Sequence, residues 1–280
     1  MTSDAPEWRT WLGRVREAED VVTAGMVEGL KATIGDADGS DAAPLAPQGI
    51  HWLLAPLRAP LASLGPDGHP KEGGFLPPMS LPRRMWAASD IRFFAPIAIG
   101  ATVHVRSEIA AITPKSGASG ELVFVEIDHA WNASGFSAVR ERQTIVYRGA
   151  GGGSSRSDAD GGAFEFERRC RPDPVMLFRY SALTFNSHRI HYDQPYATDV
   201  EGYPGVVVHG PLTASLLLDL CARQFGANRL TRFTFRAVSP AYAGEELRLH
   251  GRAVADRVEL VAAADGRVTM RATAFLADAS

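Results

Sequence analysis

The sequence has little cysteine, no long apolar run and no basic start. Cys170 and Cys221 are its two cysteines, and they lack the spacing of a metal or redox motif. A disulfide framework needs more cysteines than this in a chain of this size. No segment approaches the roughly 18 consecutive apolar residues of a membrane-spanning helix, and the first residues, MTSDAPEWRTW, do not form a signal peptide. We therefore expect a cytoplasmic protein that has no membrane partner.

An excess of positive charge is also missing. The chain has 29 Lys and Arg against 32 Asp and Glu, which gives a formal net charge of −3. Nucleic-acid-binding proteins present a broad basic surface to the phosphates, so we predict that nucleic acid is not a partner. With 280 residues, 45% of them hydrophobic and 22% charged, the chain can bury a sizeable core in one large domain or in two of ordinary size.

The chain does contain two runs of alternating apolar residues, each broken by Gly, Pro, Ser or Asn. Before the first run, helical spacing predicts one or two amphipathic helices between about Glu7 and Ala32. A long Gly- and Pro-dense loop follows at 65–86, and loops of this length are usually functional or mobile. Each run then predicts four antiparallel strands: IRFFAP, TVHVRSEI, ELVFVEIDHAW and RQTIVYR, then TRFTFRAVSP, EELRLHGRAV, VELVAAA and RVTMRATAFL.

The two runs repeat one pattern at a fixed offset. Pro96 precedes Gly100 by four residues, and the same spacing recurs in Pro240 and Gly244, 144 residues later. An offset of about half the chain is typical of a duplicated unit. We therefore predict an α+β fold of two units, each a helix packed on an antiparallel sheet. The first unit spans 1–148, a Gly- and Ser-rich flexible linker spans 149–163, and the second unit spans 164–280.

A helix start is strongly marked at GPLTASLLLDL. Gly210 can serve as the N-cap and Pro211 as the first helical residue, where a missing N–H costs nothing. The leucines that follow lie on one face and leave little of the helix polar, which predicts a buried helix. The unpaired N–H groups of its first turn could stabilise a carbonyl oxygen that gains negative charge, although many such caps only end a loop.

Polar and titratable residues cluster just before this helix. Asn186 and His191 fall in a segment that its Gly and Pro surroundings predict to be an irregular loop, and such a loop can aim both side chains at one point. The imidazole could exchange a proton with a water molecule that the amide orients. An alternative is a metal site made of His188, His191 and Asp193, but this loop lacks a convincing fourth ligand. We therefore favour acid–base chemistry and predict no metal.

These residues resemble the (R)-specific enoyl-CoA hydratase, or MaoC-like dehydratase, family of hotdog folds. The motif of that family runs roughly Ser-Gly-Asp-x-Asn-Pro-x-His, and it stands here as Thr184 to His191. The catalytic His of the family matches His191, its Asp matches Asn186, and its helix-start glycine matches Gly210. The stretches RYSALTFNSHRIHYD and GGFLPPMSLPRRMWA look most similar to the branch of mesaconyl-C4-CoA (3-methylfumaryl-CoA) and itaconyl-CoA hydratases.

The resemblance implies a double hotdog whose first unit is not catalytic but helps to form the acyl pocket. It implies a hydro-lyase that reversibly adds water to an enoyl-CoA, most of all one with a short branched dicarboxylyl group. Coenzyme A is then part of the substrate, no further cofactor is expected, and a homodimer is expected from the resemblance alone. A buried carboxylate needs a cation. We therefore expect substrate-binding residues among Arg83, Arg84, Arg179, Arg189 and His209.

Two other functions remain open to the sequence. A hotdog thioesterase shares the fold but typically uses a carboxylate near the helix, and the segment from Val206 to Leu218 contains neither Asp nor Glu. A non-catalytic acyl-CoA-binding subunit is expected if Asn186, in place of the family's Asp, marks a site that has lost activity. His51 and His209 also fit a structural role, which is the commoner fate of a lone histidine.

Overall fold

The structure, a computed structural model, describes residues 7–35, 44–117, 120–149 and 163–277. Within these ranges the chain forms ten strands, three α-helices and several short 3₁₀ turns. The first half contains β1 (Val15–Val21), α1 (Ala24–Ile34), β2 (Arg83–Phe93), β3 (Thr102–Gly117), β4 (Gly120–Ala133) and β5 (Phe136–Arg148). The second half contains β6 (Phe166–Cys170), α2 (Pro174–Thr184), α3 (Gly210–Phe225), β7 (Leu230–Ala237), β8 (Leu247–Val254), β9 (Arg257–Ala264) and β10 (Arg267–Leu276).

All ten strands join one antiparallel sheet in the order β1-β3-β4-β5-β2-β7-β10-β9-β8-β6. The five strands of the second half are arranged like their counterparts in the first half, but in reverse order across the sheet. The two halves therefore meet where β2 pairs with β7. At this seam Asp90 lies opposite Thr234, and the Arg232 guanidinium donates to both oxygens of the Asp90 carboxylate. The predicted α+β arrangement of two units on antiparallel strands is confirmed, and all eight predicted strands are present.

The repeated Pro–Gly spacing has a structural cause. Gly100 and Gly244 both have left-handed backbone, with φ of +88° and +87°. Their N–H groups donate to Val22 and Pro172, at 2.7 and 2.8 Å. Each of these acceptors immediately precedes the N-cap of a helix, α1 in one half and α2 in the other. The same glycine turn therefore ties the sheet to the helix in both halves.

Helix α3 lies at the centre of the molecule. Ten of its sixteen residues are buried. Its leucines share one hydrophobic core with α1, α2 and the inner faces of strands from both halves. The predicted burial of this helix inside the sheet is confirmed. No helix in the described part of the chain is long and apolar enough to cross a bilayer.

The predicted helices between Glu7 and Ala32 are partly wrong. The structure has a 3₁₀ turn at Glu7–Trp11, strand β1, and only then helix α1. Strand β1 turns polar residues inward, because Arg16 donates to the carbonyl of Ala55 and Asp20 accepts from the Ala55 N–H. A strand whose half-buried face is polar has no apolar alternation, so its pairing with β3 decides its structure.

Other boundaries also differ from the prediction. Strand β6 and helix α2 were not predicted, although Asp173 and Pro174 form an N-cap and a first helical residue. Strand β2 begins at Arg83, inside the segment predicted as loop, and α3 begins at Gly210 with His209 as its N-cap. The predicted linker at 149–163 lies, except for its two end residues, outside the described residues.

Candidate active site

A large cavity opens between the two halves of the chain, at the start of α3. Its volume is about 1230 Å³. One wall comes from the first half, from the loop between Leu57 and Leu76 and from strands β2 and β5. The opposite wall comes from α2, the 184–192 segment and the beginning of α3. A cavity of this size that is largely apolar and holds a few polar groups suits an acyl thioester.

His191 lies on this cavity, on a 3₁₀ turn at Arg189–His191. Its Nδ1 is 2.8 Å from the carbonyl oxygen of Val207. A carbonyl can only accept, so Nδ1 carries the proton and Nε2 keeps a free lone pair. Burial lowers the pKa of His191 to about 4, against the opposing effect of the Val207 hydrogen bond. The ring is therefore a neutral base at neutral pH.

His209 packs against the His191 ring. The two rings stack with centroids 3.6 Å apart, and His209 Nε2 lies 2.8 Å from the Ser181 hydroxyl. Burial lowers the pKa of His209 well below its usual value, and the neighbouring His191 lowers it further. His209 was predicted to bind substrate, but it is not among the residues that line the cavity. Its place is that of a packing partner that orients the His191 ring.

Asn186 also lines the cavity, at the end of α2. The preceding residue, Phe185, has left-handed backbone and ends the helix, and the Asn186 N–H donates to the Ser181 carbonyl. The Asn186 Oδ1 accepts from the N–H of His188 at 3.0 Å. With its oxygen engaged, the amide side chain presents its NH₂ group as the donor that can hold a water molecule.

Gly210 places the first N–H of α3 at the same cavity. The helix N-cap, His209, accepts from the Thr213 N–H through its carbonyl, and Pro211 has no N–H. In the part of the chain that the structure describes, the Gly210 N–H has no hydrogen-bond acceptor. This half-buried N–H, with the positive end of the helix dipole behind it, could donate to the oxygen of a thioester.

A third group of side chains comes from the first half. The loop around residues 65–70 brings Asp67 and His69 against His188 at the cavity. His69 Nδ1 lies 2.8 Å from Asp67 Oδ2, and the rings of His69 and His188 have centroids 4.0 Å apart. His188 in turn meets His191 edge to face at 5.4 Å. A row of three imidazoles therefore runs along the cavity wall from the first half to the second.

Close backbone contacts hold this loop in place. The Arg189 N–H donates to the Asp67 carbonyl at 2.9 Å, and the Ser187 hydroxyl donates to the Gly68 carbonyl at 2.5 Å. Gly68 has φ of +87°, and a Cβ at this position would lie 2.0 Å from the Ser187 carbonyl oxygen. Only glycine can occupy this contact without moving the backbone.

The four predicted arginines have different positions. Arg84 lines the cavity, and within the described ranges it forms no salt bridge. Arg83 pairs with Glu201, and Arg179 donates to the carbonyl of Ala32 on the surface. Arg189 pairs with Asp193 at 2.8 Å, packs over the Tyr196 ring and donates to Pro66. Of the four, only Arg84 is among the residues that line the cavity.

Asp67 and His69 were not predicted as site residues, and His188 was predicted only as a ligand in the alternative metal site. A signal was present, because both missed residues belong to GPDGHP in the loop that its length marked as functional. Asp67, His69 and His188 have ligand atoms within 4.8 Å of one another, the spacing of a metal site. Their arrangement fits a cation poorly, because the two rings pack against each other at a tilt of 38° and Arg84 adds positive charge beside them.

Comparisons with known proteins identify the family of this chain. The family model of hydroxyacyl-thioester dehydratase type 2 matches residues 49–243. The mesaconyl-C(4)-CoA hydratase of Chloroflexus aurantiacus is 41% identical over 276 residues, which cover 96% of this chain and 98% of that protein. These matches confirm the family resemblance and the hydro-lyase class that it implied.

Solved structures support the fold alone. A MaoC-like dehydratase superposes with a TM-score of 0.73 at 15% identity, over 96% of this chain and 99% of that one. A Mycobacterium tuberculosis protein described as a double hotdog superposes with a TM-score of 0.57 at 16% identity, over 94% and 96%. The predicted double hotdog is confirmed. The chain belongs to the hydroxyacyl-thioester dehydratase type 2 family.

Proposed function

We propose that this protein reversibly hydrates the enoyl thioester of a short branched dicarboxylyl-CoA, such as mesaconyl-C4-CoA or itaconyl-CoA. The observation that carries the proposal is the meeting of three groups at one cavity: the free Nε2 of His191, the amide of Asn186 and the N–H of Gly210. One group can accept a proton, one can orient water and one can bind a thioester oxygen, which are the requirements of hydration.

The reaction begins with a water molecule held by the Asn186 amide. His191 Nε2 removes a proton from this water while its oxygen bonds to the β-carbon of the enoyl group. The electron pair of the double bond moves onto the thioester, and the Gly210 N–H binds the oxygen that becomes negative. The imidazolium of His191 then returns the proton to the α-carbon, so no other reactant is consumed.

The acyl group is proposed from Arg84 and from the relatives. In mesaconyl-C4-CoA the free carboxylate is attached to the β-carbon, the atom that receives the water. The residue that binds this carboxylate must therefore lie near the water-binding groups, and Arg84 lines the same cavity. A guanidinium can bind a carboxylate through two parallel hydrogen bonds, which stabilises it out of bulk water. The scheme uses side chains and backbone alone, and coenzyme A enters as part of the substrate.

A single assay tests this proposal. The purified protein is incubated with mesaconyl-C4-CoA, itaconyl-CoA or crotonyl-CoA, and both the enoyl absorbance and the free thiol are followed. We expect the absorbance to fall without release of thiol. Efficiency on the dicarboxylyl substrates should exceed that on crotonyl-CoA by on the order of a hundredfold, the value of one charge-assisted contact.

The alternative functions give different results in the same assay. Release of thiol would make the protein a hotdog thioesterase, and no change in either signal would make it an acyl-CoA-binding subunit. Equal efficiency on crotonyl-CoA would remove the carboxylate from the proposal and leave a general short-chain hydratase. A cytoplasmic location and a homodimer remain predictions, which cell fractionation and light scattering would check.

A further inference from the structure

We propose that His69, held by Asp67, forms with Arg84 a subsite for the free carboxylate of the substrate, and that His69 takes up a proton when this carboxylate binds. The inference rests on the proposed function and names residues of the first half that recognise the acyl group. Proton transfer by His191 does not use them, although His69, His188 and Arg84 line the same cavity.

The tautomer of His69 is set by its partner. The Asp67 carboxylate accepts from His69 twice, at 3.0 Å from the backbone N–H and at 2.8 Å from Nδ1. Because Nδ1 donates to this carboxylate, Nε2 is the nitrogen left with a lone pair. The ring lines the cavity, so Nε2 is the atom available to a substrate.

The charges around His69 explain why it is neutral before substrate binds. Burial lowers its pKa, the hydrogen bond to Asp67 acts in the opposite direction, and the Arg84 guanidinium lowers the pKa further. The ring of His188 is a neighbour whose pKa lies well below its usual value through burial and the nearby His69. His191 interacts electrostatically with His69, and the Glu72 carboxylate, which also lines the cavity, interacts with Arg84 and Asp67. Before substrate binds, the subsite therefore holds the Arg84 guanidinium and the Asp67 carboxylate, with the Glu72 carboxylate beside them.

An anionic substrate changes this balance. A carboxylate placed between Arg84 and His69 Nε2 meets the guanidinium on one side and a lone pair on the other. Protonation of Nε2 turns the lone pair into a donor, and the imidazolium then lies between two carboxylates, that of Asp67 and that of the substrate. The proton comes from solvent. Binding of a dicarboxylyl thioester is thus coupled to uptake of a proton, and binding of a monocarboxylyl thioester is not.

Contacts of the loop with the second half of the chain hold the subsite residues in a fixed position. Asp67 and Gly68 are tied to the catalytic segment through their carbonyls, and Gly68 is in direct contact with Ser187. The position of His69 relative to His191 is therefore determined by backbone contacts between the two halves. Such a fixed position is what recognition of a small acyl group requires.

Turnover of two substrates tests the specificity. The variants are His69→Asn, whose amide can still donate to Asp67, and Arg84→Met. On mesaconyl-C4-CoA each should lower kcat/KM by about tenfold to a hundredfold, mainly through KM. On crotonyl-CoA, which has no carboxylate, the loss should be at least about fivefold smaller than on mesaconyl-C4-CoA.

A matched control is available in the same chain. Glu19 and His104 form another carboxylate–histidine pair, at 3.0 Å, exposed at the outer edge of the sheet on β1 and β3. The His104→Asn variant should leave kcat/KM on both substrates unchanged. Equal losses on both substrates in His69→Asn would instead place His69 in the proton transfers, and no loss on either would remove it from the site. Both results overturn the proposal.

Calorimetry tests the proton uptake without turnover. Methylsuccinyl-CoA, which is saturated and cannot be hydrated, is titrated into the protein in two buffers of different ionisation enthalpy near pH 7. We expect the wild type to take up close to one proton, and His69→Asn and the wild type with butyryl-CoA to take up none. Affinity for methylsuccinyl-CoA should fall as pH rises, because the deprotonated ring stops donating.

These outcomes separate the two proposals. If the wild type hydrates no thioester, the proposed function fails, whereas proton uptake with methylsuccinyl-CoA would still support the subsite. If the wild type hydrates mesaconyl-C4-CoA but takes up no proton on binding methylsuccinyl-CoA, the coupling to His69 is refuted while the hydratase function stands.

Discussion

The two halves of the chain reach the same structural position and then diverge. In the second half, Val208 donates to the carbonyl of Ala241 at 2.9 Å, and the sixteen-residue helix α3 begins two residues later. In the first half, Ala46 makes the equivalent bond to Ile97 at 2.8 Å. There the chain forms only a four-residue 3₁₀ turn, at 50–53, before it enters the cavity-lining loop. The same frame thus supports a buried helix in one half and a loop in the other.

The space at these two positions differs in the same way. Ala237 and Ser239 to Ala241 line the large cavity, and the equivalent segment from Phe93 to Ile97 lines a cavity of about 140 Å³. Gln48 lies beside the small cavity, and its side chain both donates to and accepts from the backbone of Leu230, at 2.7 and 3.2 Å. The two halves therefore share the same strands and glycine turns. The segment that follows the Ala46 and Val208 backbone hydrogen bonds determines whether a buried helix and a large cavity form there.

The largest effect is expected from separating the halves. The segment 163–280 alone should be insoluble or inactive, because β7 would lose its pairing with β2 and the cavity would lose the wall that the first half provides. Solubility, circular dichroism and hydration assays of this segment check the prediction. A soluble, active second half would mean that the halves are independent units.

The next largest effect is expected from His191, in the half that carries helix α3. His191→Ala should lower the hydration rate by about 10³-fold, because it removes the base, and should leave the fold intact by circular dichroism. Since the pKa of His191 is lowered to about 4, the wild-type rate should be flat at neutral pH and fall as pH drops towards that value. A rate within about tenfold of the wild type would remove His191 from its role.

Substitutions of Asn186 should lower the hydration rate less than His191→Ala does. Asn186→Ala should cost less than His191→Ala, about tenfold to a hundredfold in rate, because the amide orients water without exchanging a proton. Asn186→Asp should retain activity, since a carboxylate can also hold the water. A silent Asn186→Ala would show that another group holds it.

A smaller effect is expected where the halves touch. Gly68→Ala should lower the free energy of unfolding by about 2–4 kcal/mol, because it combines left-handed backbone with a clash against Ser187. It should also raise KM, since the loop that carries His69 is displaced. Denaturant unfolding and steady-state kinetics measure the two effects, and a fully stable variant with unchanged KM would contradict the tight contact.

The smallest effects compare the two equivalent glycines. Gly100→Ala and Gly244→Ala should each cost about 1–2 kcal/mol, because their φ values are nearly equal and a Cβ at either position meets no atom within 4 Å. Equal losses in denaturant unfolding would support equivalent turns. Unequal losses would show that the two turns contribute differently to the free energy of unfolding.

Much of the fold and part of the site could be predicted from local patterns. The eight alternating strands, the repeated Pro–Gly spacing and the buried helix after Gly210 all depend on short-range periodicity and backbone preferences. Asn186, His191 and Gly210 could be found because they lie within one motif and its following helix. Strand β1 could not be found, since its half-buried face is polar and only its partner β3 reveals it.

The sequence by itself determined the two-unit plan and the motif that holds Asn186 and His191, because these depend on local patterns along the chain. Only the tertiary structure decided which arginine lines the cavity and that His69, held by Asp67, also lines it. It also decided that His209 packs behind His191 and is not exposed to substrate. The place of His69 at the cavity depends on contacts between residues more than a hundred positions apart, such as Gly68 against Ser187. No local pattern encodes such contacts, because they arise when the two halves close on each other.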